Sequence, residues 1–154
     1  MKQIEAFAAQ FGAKIALNPE FLVERASRFY LLNLRLKEIA RGDFYYAGLY
    51  LGKVKRGVFF PSFNLLQMLA NAAANKVVLN QKAAWLFICG RDVFRKGIAK
   101  AHGAASKGKH TLVLNEFGEC LGFGRITKDF DKAAEDDVVV RNVLDVGDFV
   151  RRER

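Results

Sequence analysis

Gly122 and Gly124 bracket a phenylalanine just ahead of Arg125 in the stretch ECLGFGRIT, residues 119–127. Such a pair could cradle a phosphate, or sit in a strand where something packs close. A phosphate cradle needs its glycines to open a helix, so that free N–H groups and the helix dipole face the anion. Here the pair comes off a turn and runs into a loop, and its spacing fits neither GxGxxG nor the P-loop. Gly122 and Gly124 are therefore read as strand glycines that permit a sharp bend or close packing.

Other residues with chemical potential lack the company that catalysis requires. His102 and His110 flank a Lys/Gly/Ser loop with no evident orienting carboxylate, so they read as surface or RNA-facing residues rather than bases. Asp129, Asp131, Glu135, Asp136 and Asp137 lack the spacing and glycine of an EF-hand, which leaves a solvated acidic loop. Cys89 and Cys120 lie in apolar surroundings without ligand spacing and read as buried free thiols. No metal, cofactor or enzymatic activity is expected.

Charge is the stronger signal. Lys and Arg number 25 against 16 Asp and Glu, a net +9 that favours polyanionic partners. From Arg91 to His110 the only acid is Asp92, and on a helix starting near Arg91 the apolar Phe94, Ile98 and Ala101 would leave Arg95, Lys96 and Lys100 on the other face. A simple solvated face more often interleaves both signs. Arg151, Arg152 and Arg154 form a second cluster at the far end, which sequence position alone does not bring beside the first.

The elements that must position these residues follow from periodicity. Residues 2–17 place Ile4, Phe7, Ala8, Phe11 and Ile15 on one helical face, stopped by Asn18-Pro19. RFYLLNLRLKEI alternates as a strand, and ARGD, residues 40–43, reads as a turn. FYYAGLYLGKVKRGVFFPS gives two strands hinged at Lys55-Arg56-Gly57, after which Ser62 caps a helix carrying Leu65, Leu66, Met68 and Leu69. Asn75–Lys82 is a short strand and the expected hinge between domains. Ala83–Cys89 then reads as an apolar strand, followed by the basic helix. TLVLNEFGECLGFGRIT gives two strands about a turn at Asn115–Glu119, and VVVRNVLDVGDFVRRER gives two more with a glycine between them. Half of the chain is hydrophobic (51%), enough for packed cores. The apolar runs are too short to span a bilayer, and the first residues lack the regions of a secretion signal, so a soluble cytoplasmic protein without membrane contact is expected.

From Ala83 to Glu153, the order WLFICGRDVFRKGIAKA, TLVLNEFGECLGFGRIT and VLDVGDFVRRE resembles a PUA domain, the pseudo-barrel named for pseudouridine synthases and archaeosine transglycosylases. FYLLNLRL, FYYAGLYLGKV and the helix after Ser62 are similar to the pre-PUA domain of the Nip-seven family of large-subunit ribosome biogenesis factors, in its compact archaeal form. The resemblance implies an α+β architecture, with a pre-PUA domain over 1–80, built of an antiparallel sheet and flanking helices, and a PUA pseudo-β-barrel over 81–154. It implies a non-enzymatic factor that binds RNA, pre-rRNA in single-stranded or irregular form, during processing and large-subunit assembly. Other assembly factors are the implied protein partners, and eukaryotic members of the family are nucleolar. The implied RNA-facing residues are Gly90, Arg91, Arg95, Lys96 and Lys100, joined by Arg151, Arg152 and Arg154 of the closing strand, with Lys128 at the edge. The alternative is a protein-interaction adaptor of a ribonucleoprotein that docks a partner on DFYYAGLYLG, favoured if Phe44, Tyr46 and Tyr50 form one exposed patch.

Overall fold

The computed structural model describes residues 1–40 and 44–152, so the expected turn at 40–43 falls mostly on residues outside the description. The chain folds as α+β around two sheets. The first is an antiparallel meander of β1 (Leu22–Arg25), β2 (Arg28–Leu31), β3 (Leu49–Lys55) and β4 (Val58–Pro61), in that order. The second is a curled sheet of six strands: β5 (Lys76–Leu79), β6 (Val93–Phe94), β7 (Ile98–His102), β8 (His110–Leu114), β9 (Cys120–Ile126) and β10 (Val138–Asp145). Their spatial order is β6-β10-β9-β8-β5-β7; β5 and β8 pair parallel and the other neighbours pair antiparallel. Helices α1 (Lys2–Ala9), α2 (Leu34–Ile39), α3 (Phe63–Asn71), α4 (Gln81–Ile88) and α5 (Gly147–Arg152) complete the molecule. Among the described residues no helix is long and apolar enough to cross a membrane.

Local chemistry fixes the boundaries. Ser62 Oγ accepts from Leu65 N and donates to the Tyr50 carbonyl, so one hydroxyl both caps α3 and ties it to β3. That helix buries Leu65, Leu66 and Leu69, each worth about 1.5–3 kcal/mol of apolar burial, against Ile4, Phe7 and Phe11. Leu112, Leu114 and Phe123 of the second sheet belong to the same cluster. A second cluster gathers Val77, Phe87, Ile126, Val139 and Val140 inside the curled sheet under α4.

Several elements differ from the sequence-based expectation. The N-terminal helix ends at Ala9 rather than near 17, because Gly12 turns left-handed at φ +67° while Phe11 still packs in the core. The strand expected through RFYLLNLRLKEI breaks after Leu31, where Asn33 accepts from Leu36 N and starts α2. The apolar run Ala83–Cys89 is α4 rather than a strand, capped by Asn80 accepting from Ala83 N. Ala84 and Phe87 face the core from it, while Trp85 and Leu86 face solvent. The basic helix expected from Arg91 is instead β6, a tight turn at Arg95–Gly97 and β7. Its backbone donors go to the acidic loop, Arg95 N to Asp137 O and Lys96 N to Glu135 O. The last expected strand is helix α5, which runs through Arg151 and Arg152.

Gly122 and Gly124 lie in β9 against β10. A Cβ on Gly122 would stand 1.9 Å from the Leu144 carbonyl oxygen, and one on Gly124 would stand 2.4 Å from Val140 Cγ1. They are close-packing strand positions. The Asn115–Glu119 turn is present, held by Asn115 Oδ1 accepting from Phe117 N and Glu119 N.

Candidate nucleic-acid interface

The C-terminal end of α4, strand β10 and helix α5 meet in one polar hub. Gly90 leaves α4 in a left-handed turn, φ +87°, and a Cβ there would lie 3.3 Å from the Arg151 guanidinium. Arg151 Nη1 donates to the Ile88 carbonyl at 2.7 Å, and Nη2 donates to both oxygens of Asp145 at 2.8 and 2.9 Å. Asp145 is only 3% exposed and also accepts from Asn142 Nδ2, which donates to the Phe87 carbonyl as well. Asp92 accepts from Asn142 N. Gly147 is enclosed by the same groups, since a Cβ on it would sit 2.1 Å from the Ile88 oxygen. Burial without a counter-charge would make Asp145 costly, so the guanidinium is a strut as well as a surface charge.

The nine residues expected to face RNA are therefore arranged unevenly. Gly90 and Arg151 come together, with Arg91 exposed beside Gly90 in sequence. Arg152 follows in α5, and Arg154 lies outside the described residues. Arg95 donates from Nε to the Phe130 carbonyl. Lys96 pairs with Asp136, whose hydrogen bond raises the ammonium pKa above its usual value, and Lys128 pairs with Asp137. Lys100 is exposed on β7 opposite Val78. The acidic loop thus folds onto the Arg95–Lys96 segment and neutralises part of the expected patch. Among the described residues, Arg91 and Lys100 have no ion pair.

Strand register adds cations that sequence reasoning missed. Arg141 stands opposite Arg125, and Arg125 opposite the His110 imidazole, a row across β10, β9 and β8 whose two charges are the arginines. Like charges so placed disfavour each other and favour a shared anion. The hairpin turn at Asn115–Glu119 fixes the His110–Arg125 pairing, so counting residues back from that turn would have found half of the row. Burial, then Arg125, lowers the His110 pKa, and its ring packs on Phe11 and Phe123 rather than lying free on the surface. His102 is exposed as expected.

No other chemistry gathers. Among the described residues no group of three or more His, Cys, Asp or Glu side chains could hold a metal ion. Cys89, expected to be buried, is exposed because its segment is the end of a helix, whereas Cys120 is part-buried with its thiol pushed up to about 11 by burial. The aromatic stretch that would serve an adaptor is one contiguous cluster around the buried Tyr30, in which Tyr46 is exposed and Phe44 and Tyr50 are half-buried.

A curled sheet closed by an α4 turn, a Gly122–Gly124 strand and a helix carrying Arg151 defines a PUA-domain protein. Residues 75–154 match the UPF0113 PUA domain, and the chain belongs to that family. A UPF0113 protein of Archaeoglobus fulgidus is 31% identical over 115 residues, 71% of this chain, and the match spans 64% of that relative's length. A conserved PUA domain protein from Thermoplasma acidophilum superposes with a TM-score of 0.64 at 21% identity, covering 99% of this chain and 92% of that one. A hypothetical protein from Pyrococcus horikoshii gives 0.61 at 19% identity, covering 99% and 95%. These two likenesses show the fold.

Proposed function

We propose that the chain is a non-enzymatic RNA-binding factor of the Nip-seven type, which acts in the cytoplasm in pre-rRNA processing and large ribosomal subunit assembly. The observation that carries the reading is a PUA domain in which the Gly90 turn and the Arg151 guanidinium lie side by side, with Arg91 exposed next to them. PUA domains generally bind RNA. The net charge of +9 supplies the attraction, and the N-terminal motifs shared with the Nip-seven family support the assembly role. RNA with unstacked bases is the favoured form, because an A-form duplex hides base edges in a deep, narrow groove.

The test is affinity for single-stranded and duplex RNA as a function of salt. Arg91→Ala/Lys100→Ala weakens binding and flattens the log–log slope by about 0.7 for each single-strand phosphate left without its cation. Asp136→Asn, which frees Lys96, strengthens it. Unchanged affinity in a folded Arg91/Lys100 variant refutes the assignment of this surface, and RNA modification by the purified protein refutes the non-enzymatic reading. Co-sedimentation with large-subunit precursor particles tests the assembly role.

A further inference from the structure

The first sheet presents a face that the PUA reading does not use. Tyr30, on β2, is buried and ringed by Phe44, Tyr46 and Tyr50 at centroid distances of 5.4 to 5.8 Å. Over this base Tyr46 is 58% exposed and Tyr45 is 86% exposed. Two aromatic rings held this far into solvent expose apolar faces at a cost that a folded surface normally avoids.

The cations are placed with them. Arg28 lies two residues before Tyr30 on β2 and so shares its face, and it pairs across to Lys53 on β3. Its guanidinium lies 5.9 Å from the Tyr45 ring centroid and is close enough to Tyr50 to counter the effect of burial on that hydroxyl. Arg28, Tyr30, Tyr45, Tyr46, Tyr50 and Lys53 line an open cavity of 240 Å³. That is below the roughly 300 to 1,000 Å³ of small-molecule sites and suits one planar ring of a longer ligand. Among the described residues none that lines it is acidic. Glu24 pairs with the core-facing Phe29, which puts it on the opposite face of the sheet.

Tyrosine and arginine also mark protein interfaces, but lysine is depleted there, and here Lys53 stands opposite Arg28 with no acid among the described lining residues to pair with either. Exposed tyrosines beside such cations match a single-stranded nucleic acid, whose bases stack on aromatic rings while its phosphates meet cations. We infer that the outer face of the first sheet is a second RNA contact, in which single-stranded bases stack on Tyr45 and Tyr46 and the backbone runs over Arg28 and Lys53. The inference rests on the RNA-binding reading for its occupant but on a different surface for its evidence.

The experiment uses the full chain and a fluorescently labelled single-stranded uridine oligomer. Tyr45→Ala, at the more exposed ring, weakens binding by about 5- to 150-fold, the range for losing one stacked base, whereas Tyr45→Phe keeps the affinity. Lys53→Ala flattens the salt slope by about 0.7. In the wild type, photocrosslinking of a 5-bromouridine strand labels the peptide carrying Tyr45 and Tyr46, a readout that needs no variant. If Tyr45→Ala binds as wild type and no crosslink maps to this peptide, while Arg91→Ala/Lys100→Ala loses affinity, the inference is overturned and the PUA reading stands. The face is then left to a protein partner. If the wild type binds no RNA at all, both fail.

Discussion

Replacing Arg151 by alanine separates a strut from an RNA contact. The side chain is 44% exposed, yet it supplies two hydrogen bonds to a carboxylate that is 4% exposed and one to the Ile88 carbonyl. Without it Asp145 keeps the Asn142 amide as a side-chain donor but has no counter-charge of its own. Breaking a fully buried pair from one side costs about 3–5 kcal/mol. Half exposure of the guanidinium lets water enter where it stood, so about 2 kcal/mol is expected here. For a chain of this size that lowers Tm by roughly 4–8 °C, at 2–4 °C per kcal/mol. Asp145→Asn should cost less when Arg151 is already gone than when it is present, a coupling that a double-mutant cycle in thermal unfolding would read. Arg151→Lys should not restore Tm, because an ammonium cannot reproduce a planar group that faces a carboxylate and a carbonyl at once. A melt of Arg151→Ala within about 1 °C of wild type, well inside that scale, would refute the argument. If RNA affinity fell at the same time, the residue would be a surface contact only.

Two further outcomes follow from packing and titration. Gly122→Ala, at φ +149° with a backbone oxygen 1.9 Å from the new Cβ, should destabilise by about 3 kcal/mol or more, whereas Gly118→Ala, at φ +81° in open space, should cost about 1 kcal/mol; urea unfolding compares them. His110, whose pKa burial and then Arg125 lower, binds a proton more readily unfolded than folded. Its stabilising contribution is complete above the unfolded value of about 6.5 and is lost as pH falls from there through the lower folded value. His110→Gln should therefore flatten the fall in Tm between about pH 7 and pH 5, and an unchanged slope would exclude the assignment. Asp129, held low by the Lys107 N–H, and Asp137, held low by Lys128, act further into the acid range and do not share that window.

Elements carrying their own punctuation were legible in the sequence. Arg56-Gly57 forms the β3–β4 turn, with both residues at positive φ, Ser62 caps α3 through its own hydroxyl, and Asn115 organises the β8–β9 turn. Each signal lies within a few residues of what it controls. Ala83–Cys89 had no such polarity contrast, because α4 keeps Trp85 and Leu86 apolar on its solvent face, and an apolar run of that length fits either period. Arg91–Ala101 misled in the opposite way. Phe94, Ile98 and Ala101 sit at helical spacing, yet distant segments hold this stretch in another form: β6 pairs with β10, β7 pairs with β5, and Glu135 O accepts from Lys96 N in the turn between them.

The same distance effect governs the candidate site. That Gly90 and Arg151 would meet came with the resemblance to PUA domains, since no local rule joins positions so far apart in the chain. The resemblance did not carry the charge state of the meeting place, because Asp136 and Asp137 neutralise Lys96 and Lys128 through a loop whose course no periodicity predicts. The first sheet makes the point most sharply. In the sequence Tyr30 alternates with Leu32 and Leu34 as if all three shared one strand face, but β2 ends at Leu31 and a register shift between Phe29 and Tyr30 sets Tyr30 opposite Tyr50. That one-residue shift is what places a tyrosine base beneath Tyr46, so the chemistry of this face is a property of strand register and is absent from composition.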